Sequence, residues 1–286
     1  MDTSTHTLPQ GIAATLRSPA GDGRKPAVIL CHGFCGIQDL LLPDFANAFA
    51  NAGFVTVTFD YRGFGASEGE RGRLVPALQI EDILTVIGWT RSLPQVDPAR
   101  IGLWGTSLGG GHVFGAAARD GDIRGIVSQL GFADGEAVVT GQMSDTEKEG
   151  FIATLDKMAE KQKVTGKEMF VGVTRVLNDP ESKAFFEENR VKHPAMDIKI
   201  PFLTVRETLN YAPALAAAQV TCPTLVVVAG QDTVNPPAQG RALFDAVAAP
   251  VKQLHEEPGA RHYDIYTGDH FGKVVALQTG WFQAHL

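Results

Sequence analysis

Ala27-Val28-Ile29-Leu30-Cys31 is an apolar run with no polar position in it. A short run of this kind fits a strand buried on both faces, because an antiparallel strand with one wet face would alternate. Val55-Thr56-Val57-Thr58-Phe59-Asp60, Arg100-Ile101-Gly102-Leu103-Trp104 and Ile123-Arg124-Gly125-Ile126-Val127 follow as strands at intervals that leave room for a helix between each pair. Thr224-Leu225-Val226-Val227-Val228-Ala229 has the same buried character as the first run, and a further strand falls over Lys252 to Glu257. Helical periodicity fills the gaps at about residues 39–52, 77–92, 108–119 and 237–248, and recurs at 271–284. Strands that alternate with crossover helices give an α/β chain with a mostly parallel, doubly wound sheet covered on both sides.

The alternation stops between about 133 and 215. That stretch is rich in Glu and Lys, with Phe151, Ile152, Leu155, Met158, Met169, Phe170, Val173, Phe185 and Phe186 at helical spacing. It reads as a helical insertion without strands. The expected division is therefore a core of residues 1–132 and 216–286, interrupted by a helical cap, or lid, over 133–215. Met143, Phe151, Phe170, Phe186 and Met196 are the apolar residues proposed to face a substrate there, although Met and Phe at such spacing more often serve ordinary core packing.

Composition removes several other classes. A formal charge of −7 and no cluster of Lys and Arg leave nothing to displace counterions from a nucleic-acid backbone. No apolar stretch reaches the roughly 18 residues of a membrane span, and the first residues lack the basic and apolar regions of a signal peptide. Three cysteines do not make a disulfide framework, and the expected compartment is the cytoplasm. Cys31 and Cys35 form a C-x-x-x-C spacing beside His32, but a zinc site would pair it with a second half-site, and Cys222 supplies one thiol only. No metal is expected. Nothing marks a subunit interface, although homodimers are common among soluble proteins.

Gly105-Thr106-Ser107-Leu108-Gly109 matches G-x-S-x-G. With 31 glycines and 286 residues, roughly 0.09 such matches arise by chance, so context decides. The motif lies between the strand ending at Trp104 and the helix opening at Leu108, where a tight turn pushes a serine above the sheet edge. A serine hydroxyl needs a base within reach and an acid to orient that base. Asp232 follows the strand ending at Ala229, and His262 follows the last strand, in Pro258-Gly259-Ala260-Arg261-His262. Asp134 is the rival acid and His270 the rival base. Two backbone N–H groups should stabilise the oxyanion. One is that of Leu108, and the other comes from His32-Gly33-Phe34-Cys35-Gly36, with Phe34 the choice. His32 itself reads as a residue that braces this loop, and Asp60 as one that holds the turn at Tyr61-Arg62-Gly63-Phe64-Gly65.

Together, His32-Gly33-Phe34-Cys35-Gly36, Asp60-Tyr61-Arg62-Gly63-Phe64-Gly65-Ala66-Ser67, Gly105-Thr106-Ser107-Leu108-Gly109-Gly110, Gly230-Gln231-Asp232 and Gly259-Ala260-Arg261-His262-Tyr263 resemble the α/β-hydrolase superfamily. Within it the chain is similar to the bacterial dienelactone-hydrolase-like and esterase or acyl-peptidase-like branch, over about 12–132 and 216–286. The resemblance implies the α/β-hydrolase fold with a variable cap, and it places nucleophile, acid and base on Ser107, Asp232 and His262. A dienelactone hydrolase would use a cysteine at the elbow, where this chain has Ser107. Haloalkane dehalogenases and epoxide hydrolases would place an aspartate there. Acyl transfer to water remains, with a small-molecule carboxylic ester, lactone or thioester as substrate and no cofactor. A C–C bond hydrolase sharing the triad, and a ligand-binding protein without turnover, are the alternatives.

Overall fold

Side chains of a strand point alternately to its two faces, and this period sorts the apolar runs into two cores. The computed structural model describes all residues 1–286. Its strands are β1 (Asp2–Thr7), β2 (Ala13–Ser18), β3 (Lys25–Cys31), β4 (Val55–Phe59), β5 (Val96–Thr106), β6 (Gly125–Gln129), β7 (Phe170–Gly172), β8 (Lys199–Pro201), β9 (Thr224–Ala229) and β10 (Lys252–Glu257). The helices are α1 (Leu42–Asn51), α2 (Pro76–Ser92), α3 (Leu108–Ala117), α4 (Gly135–Thr140), α5 (Asp145–Thr165), α6 (Pro180–Asn189), α7 (Thr204–Leu209), α8 (Pro213–Ala217), α9 (Pro237–Ala246) and α10 (Gly268–His285).

Eight strands form one sheet in the order β1-β2-β4-β3-β5-β6-β9-β10. From β4 to β10 every neighbouring pair is parallel, while β2 joins β4 and β1 joins β2 antiparallel. Ala27, Ile29 and Cys31 enter one core with Val226 and Val228, and Val28 and Leu30 enter the other with Leu225, Val227 and Ala229. The larger core takes α2 and α3, through residues such as Ile83, Val86 and Phe114. The smaller takes α1 and α10, through Phe45, Phe49, Val274 and Phe282. This is the mostly parallel, doubly wound sheet of an α/β-hydrolase.

Several features depart from the sequence expectation, and β5 begins at Val96, four residues before the expected Arg100. The β1–β2 pair extends the sheet by two strands with no apolar run to read: β1 is polar and mostly exposed, and β2 sends only Ala14 and Leu16 into the larger core. The strand expected at Ile123 to Val127 begins two residues later, at Gly125, paired with Gly102. The stretch between β6 and β9 is not wholly helical: β7 and β8 form an antiparallel ribbon in which Phe170 faces Pro201. Each ribbon strand has three residues, too few to show a period of two. Otherwise α4, α5, α6, α7 and α8 occupy this stretch, with Leu155, Val205 and Leu209 making a small core of their own. The long α5 is set at its start by a reciprocal cap between Ser144 and Glu147 and stops at Gly166, which takes φ 65°. No helix is long and apolar enough to cross a membrane.

Candidate active site

β5 ends at Thr106 and α3 starts at Leu108, so Ser107 alone makes the turn. Its backbone takes φ 55° and ψ −122°, a region that L-residues avoid. Such strain costs about 1–3 kcal/mol and persists only where the surroundings enforce it. Here the surroundings are close-packed: a Cβ on Gly109 would lie 2.4 Å from the carbonyl oxygens of both Cys31 and His32. Glycine is therefore required for α3 to start so near the end of β3. Beneath the turn, Thr106 Oγ1 is hydrogen-bonded to Tyr266 Oη at 2.6 Å and accepts from Gln129 Nε2 at 3.2 Å. Gln278 Nε2 in turn donates to Gln129 Oε1, and Trp104 Nε1 donates to Gln278 Oε1. This buried chain ties the elbow to α10.

Asp232 and His262 come together beside it from the loops after β9 and β10. His262 Nδ1–H donates to Asp232 Oδ2 at 2.7 Å, with both side chains buried. That bond fixes the proton on Nδ1 and leaves Nε2 as the basic nitrogen. Asp232 Oδ1 accepts the N–H groups of Val234 and Asn235, each at 2.8 Å. Backbone bonds from Gly230 N to Glu257 O and from Gln231 N to Ala260 O pin the two loops together. Ser107 and His262 border one cavity, but no hydrogen bond of 3.5 Å or less joins them. Catalytic bonds of this kind are often long before substrate tightens the site.

The loop after β3 passes directly alongside, since a Cβ on Gly33 would sit 3.0 Å from Ser107 Cβ. The Phe34 N–H makes no hydrogen bond within the protein. Leu108 is the first residue of α3, where N–H groups lack an intrahelical acceptor. His32 braces the loop: its Nε2–H donates to Leu40 O at 2.8 Å and its Nδ1 accepts from Gly33 N at 2.7 Å. Burial pushes its pKa down to about 4, so it stays neutral. Asp60 holds the next loop by accepting from the N–H groups of Gln38 and Ala66.

Residues 22–265 match the family model of the serine aminopeptidases, S33. The chain belongs to this α/β-hydrolase family. It is 63% identical over 286 residues, 100% of both chains, to the uncharacterized 31.7 kDa protein in the traX-finO intergenic region of Escherichia coli. It is 30% identical over 280 residues to the quorum-quenching protein AidA of Acinetobacter baumannii (strain MDR-ZJ06), covering 93% of this chain and 88% of the relative. The structure of DcsB in complex with its substrate analogue superposes with a TM-score of 0.84 at 25% identity, over 100% of this chain and 99% of that one.

In this α/β-hydrolase the cavity above Ser107 has a volume of about 480 Å³ and a mostly apolar lining. Met143, Phe151, Phe186 and Met196 border it. Phe170 does not. It lies on the β7 ribbon, 44% exposed, because the segment is an edge strand and not a helix that turns one face to the site. Residues from the stretch between β6 and β9 thus wall the cavity opposite the sheet.

The rival acid and base are occupied elsewhere in the hydrolase. Asp134 is exposed and caps α4 by accepting from Ala137 N. His270 Nδ1 is bonded to the buried Glu257 at 2.7 Å, and His255 reaches the same carboxylate. Burial pushes Glu257 up, but these bonds more than offset it and hold its pKa below the ordinary value. His112, fully buried between Tyr211 Oη and Gln79 Oε1, is pushed down to about 3 by burial. Two residues at the site have no role in the sequence reading, although Tyr263 closes the motif that holds His262. Asn235 donates from Nδ2 to Ser107 Oγ at 3.4 Å. Tyr263 ties the base loop to α6, its N–H donating to Glu181 Oε1, its Oη to Ser182 Oγ, and its ring stacking on Phe185 at 4.1 Å. Nothing in residue type or spacing marks either one.

Proposed function

We propose that this chain is a serine hydrolase that cleaves a carboxylic ester, or a lactone or thioester, of a small to medium substrate through an acyl-enzyme. The observation that carries this reading is the strained Ser107 elbow sharing a cavity with a histidine whose tautomer is fixed by a buried aspartate. His262 Nε2 takes the hydroxyl proton as Ser107 Oγ attacks the acyl carbon. The carbonyl oxygen gains the displaced electron pair and is met by the N–H groups of Leu108 and Phe34. Collapse expels the leaving group, which takes the proton from His262. Water then repeats the sequence on the acyl-enzyme and releases Ser107. Asp232, bonded to Nδ1–H, stabilises the imidazolium that forms. The apolar cavity suits an acyl chain or an aromatic leaving group, and the helices between β6 and β9 act as a lid that selects it.

A panel of aryl esters, lactones, acyl thioesters and vinylogous diketones, assayed with the wild type and with Ser107→Ala, tests this. Turnover of an ester, lactone or thioester should fall on the order of 10⁴-fold or more in the variant. Turnover confined to the diketones would move the reading to C–C bond cleavage, and full activity in Ser107→Ala would remove Ser107 as nucleophile.

A further inference from the structure

The protein gives Ser107 Oγ one hydrogen-bond partner, and it is Asn235, not His262. The same Nδ2 that reaches Ser107 Oγ at 3.4 Å reaches Leu130 O at 2.7 Å. An amide nitrogen carries two hydrogens and no acceptor, so it can serve both oxygens at once. The Leu130 carbonyl also fixes which end of the amide faces inward, because a reversed amide would set oxygen against oxygen. Ser107 Oγ therefore accepts from Asn235 and keeps its own hydrogen for the base. The side chain is well held: it is 6% exposed, and its backbone N–H is bonded to Asp232 Oδ1 at 2.8 Å. Asp232 thus steers the base with one oxygen and Asn235 with the other.

We propose that Asn235 is a catalytic residue, whose side-chain N–H stabilises the negative charge that builds on Ser107 Oγ as the acyl-enzyme forms and as it breaks down. The inference rests on the reading of Ser107 as nucleophile. On attack, the Oγ–C bond forms while the hydroxyl proton passes to His262 Nε2, and the carbonyl π pair moves to the carbonyl oxygen. In deacylation a water proton passes to His262 as the water oxygen bonds to the acyl carbon. The C–Oγ bond then breaks, its pair stays on Oγ, and His262 returns the proton there. In both steps Oγ carries more negative charge in transit than in the resting hydroxyl or ester. A donor aimed at that atom is stronger in the transition state than in the ground state, which is the condition for accelerating chemistry. The 3.4 Å separation has room to shorten, since bonds to an ionised acceptor close to about 2.7–2.9 Å.

The alternative is that Asn235 only shapes the Asp232 loop. Asn235→Ala and the near-isosteric Asn235→Leu, which can no longer donate and adds no charge beside Leu130 O, separate the two. Three quantities are read: the rate of fluorophosphonate labelling of Ser107, kcat and KM for p-nitrophenyl butyrate, and the downfield proton resonance of His262 Nδ1–H. Labelling rate and kcat should both fall about 10- to 100-fold, at or below the range for losing one oxyanion donor. KM should stay within about threefold, because bond making and bond breaking slow together. The His262 resonance should stay in place, because its bond to Asp232 is untouched. Rates within about twofold of wild type would overturn the proposal, as would slow rates accompanied by loss of the His262 resonance. Failure of the wild type to label at Ser107 would instead strike the nucleophile reading itself and take this inference with it.

Discussion

The two oxygens of Asp232 are engaged separately, Oδ2 by the Nδ1–H of His262 and Oδ1 by the N–H groups of Val234 and Asn235. An amide in its place keeps the shape but offers His262 the wrong pattern of donors. Asp232→Asn should therefore lower kcat about 10⁴-fold, the effect of losing the carboxylate that fixes the histidine tautomer. Asp134→Asn should leave kcat within about twofold of wild type, because asparagine caps a helix as well as aspartate does. Hydrolysis of p-nitrophenyl butyrate by the two variants gives the ranking, and the reverse order would move the acid to the end of β6. Ser107 and Asp232 are legible in the sequence because each follows a strong apolar run at a point where the chain must turn, and His262 because it follows the last strand in a glycine-containing turn, although that strand, Lys252–Glu257, is mostly polar. Asn235 is not, since its importance lies in where its side chain reaches. Tyr263 is hidden for the same reason: its partners Glu181, Ser182 and Phe185 lie on α6, far away in sequence.

At the scale of elements, the strands buried on both faces and the long helices declare themselves through period and length. Short pieces do not. The β7–β8 ribbon is held by pairing between Phe170 and Pro201 and between Gly172 and Lys199, contacts that no local pattern encodes. Reading that stretch as helix is what put Phe170 among the cavity residues. Met143, Phe151, Phe186 and Met196 do border the cavity, and enlarging an apolar wall changes discrimination by about 1–3 kcal/mol per methylene-sized step. Alanine at one or more of these four should shift the preferred acyl length in a series of p-nitrophenyl esters while acetate turnover stays within a few-fold of wild type. Phe170→Ala, on the exposed ribbon, should leave the profile unchanged. Uniform loss over the whole series, with folding intact, would mean that the stretch between β6 and β9 supplies a catalytic group and is more than a selective wall.

In the molecule as a whole, parallel strands send their loops to one edge of the sheet, so residues more than a hundred positions apart meet there. Ser107 follows β5, Asp232 follows β9 and His262 follows β10, while the loop after β3 brings Phe34. Two separate cores, one on each face, hold that sheet rigid, which lets the elbow keep its strained backbone. The arrangement makes sense as a device for activating one hydroxyl, and that is the claim to test. Incubation with a fluorophosphonate probe, followed by peptide mass spectrometry, does so directly. Only a base-activated hydroxyl beside an oxyanion site attacks phosphorus readily. The wild type should carry a single covalent adduct on Ser107, and Ser107→Ala should carry none. An unlabelled wild type, or equal labelling of Ser107→Ala, would contradict the account.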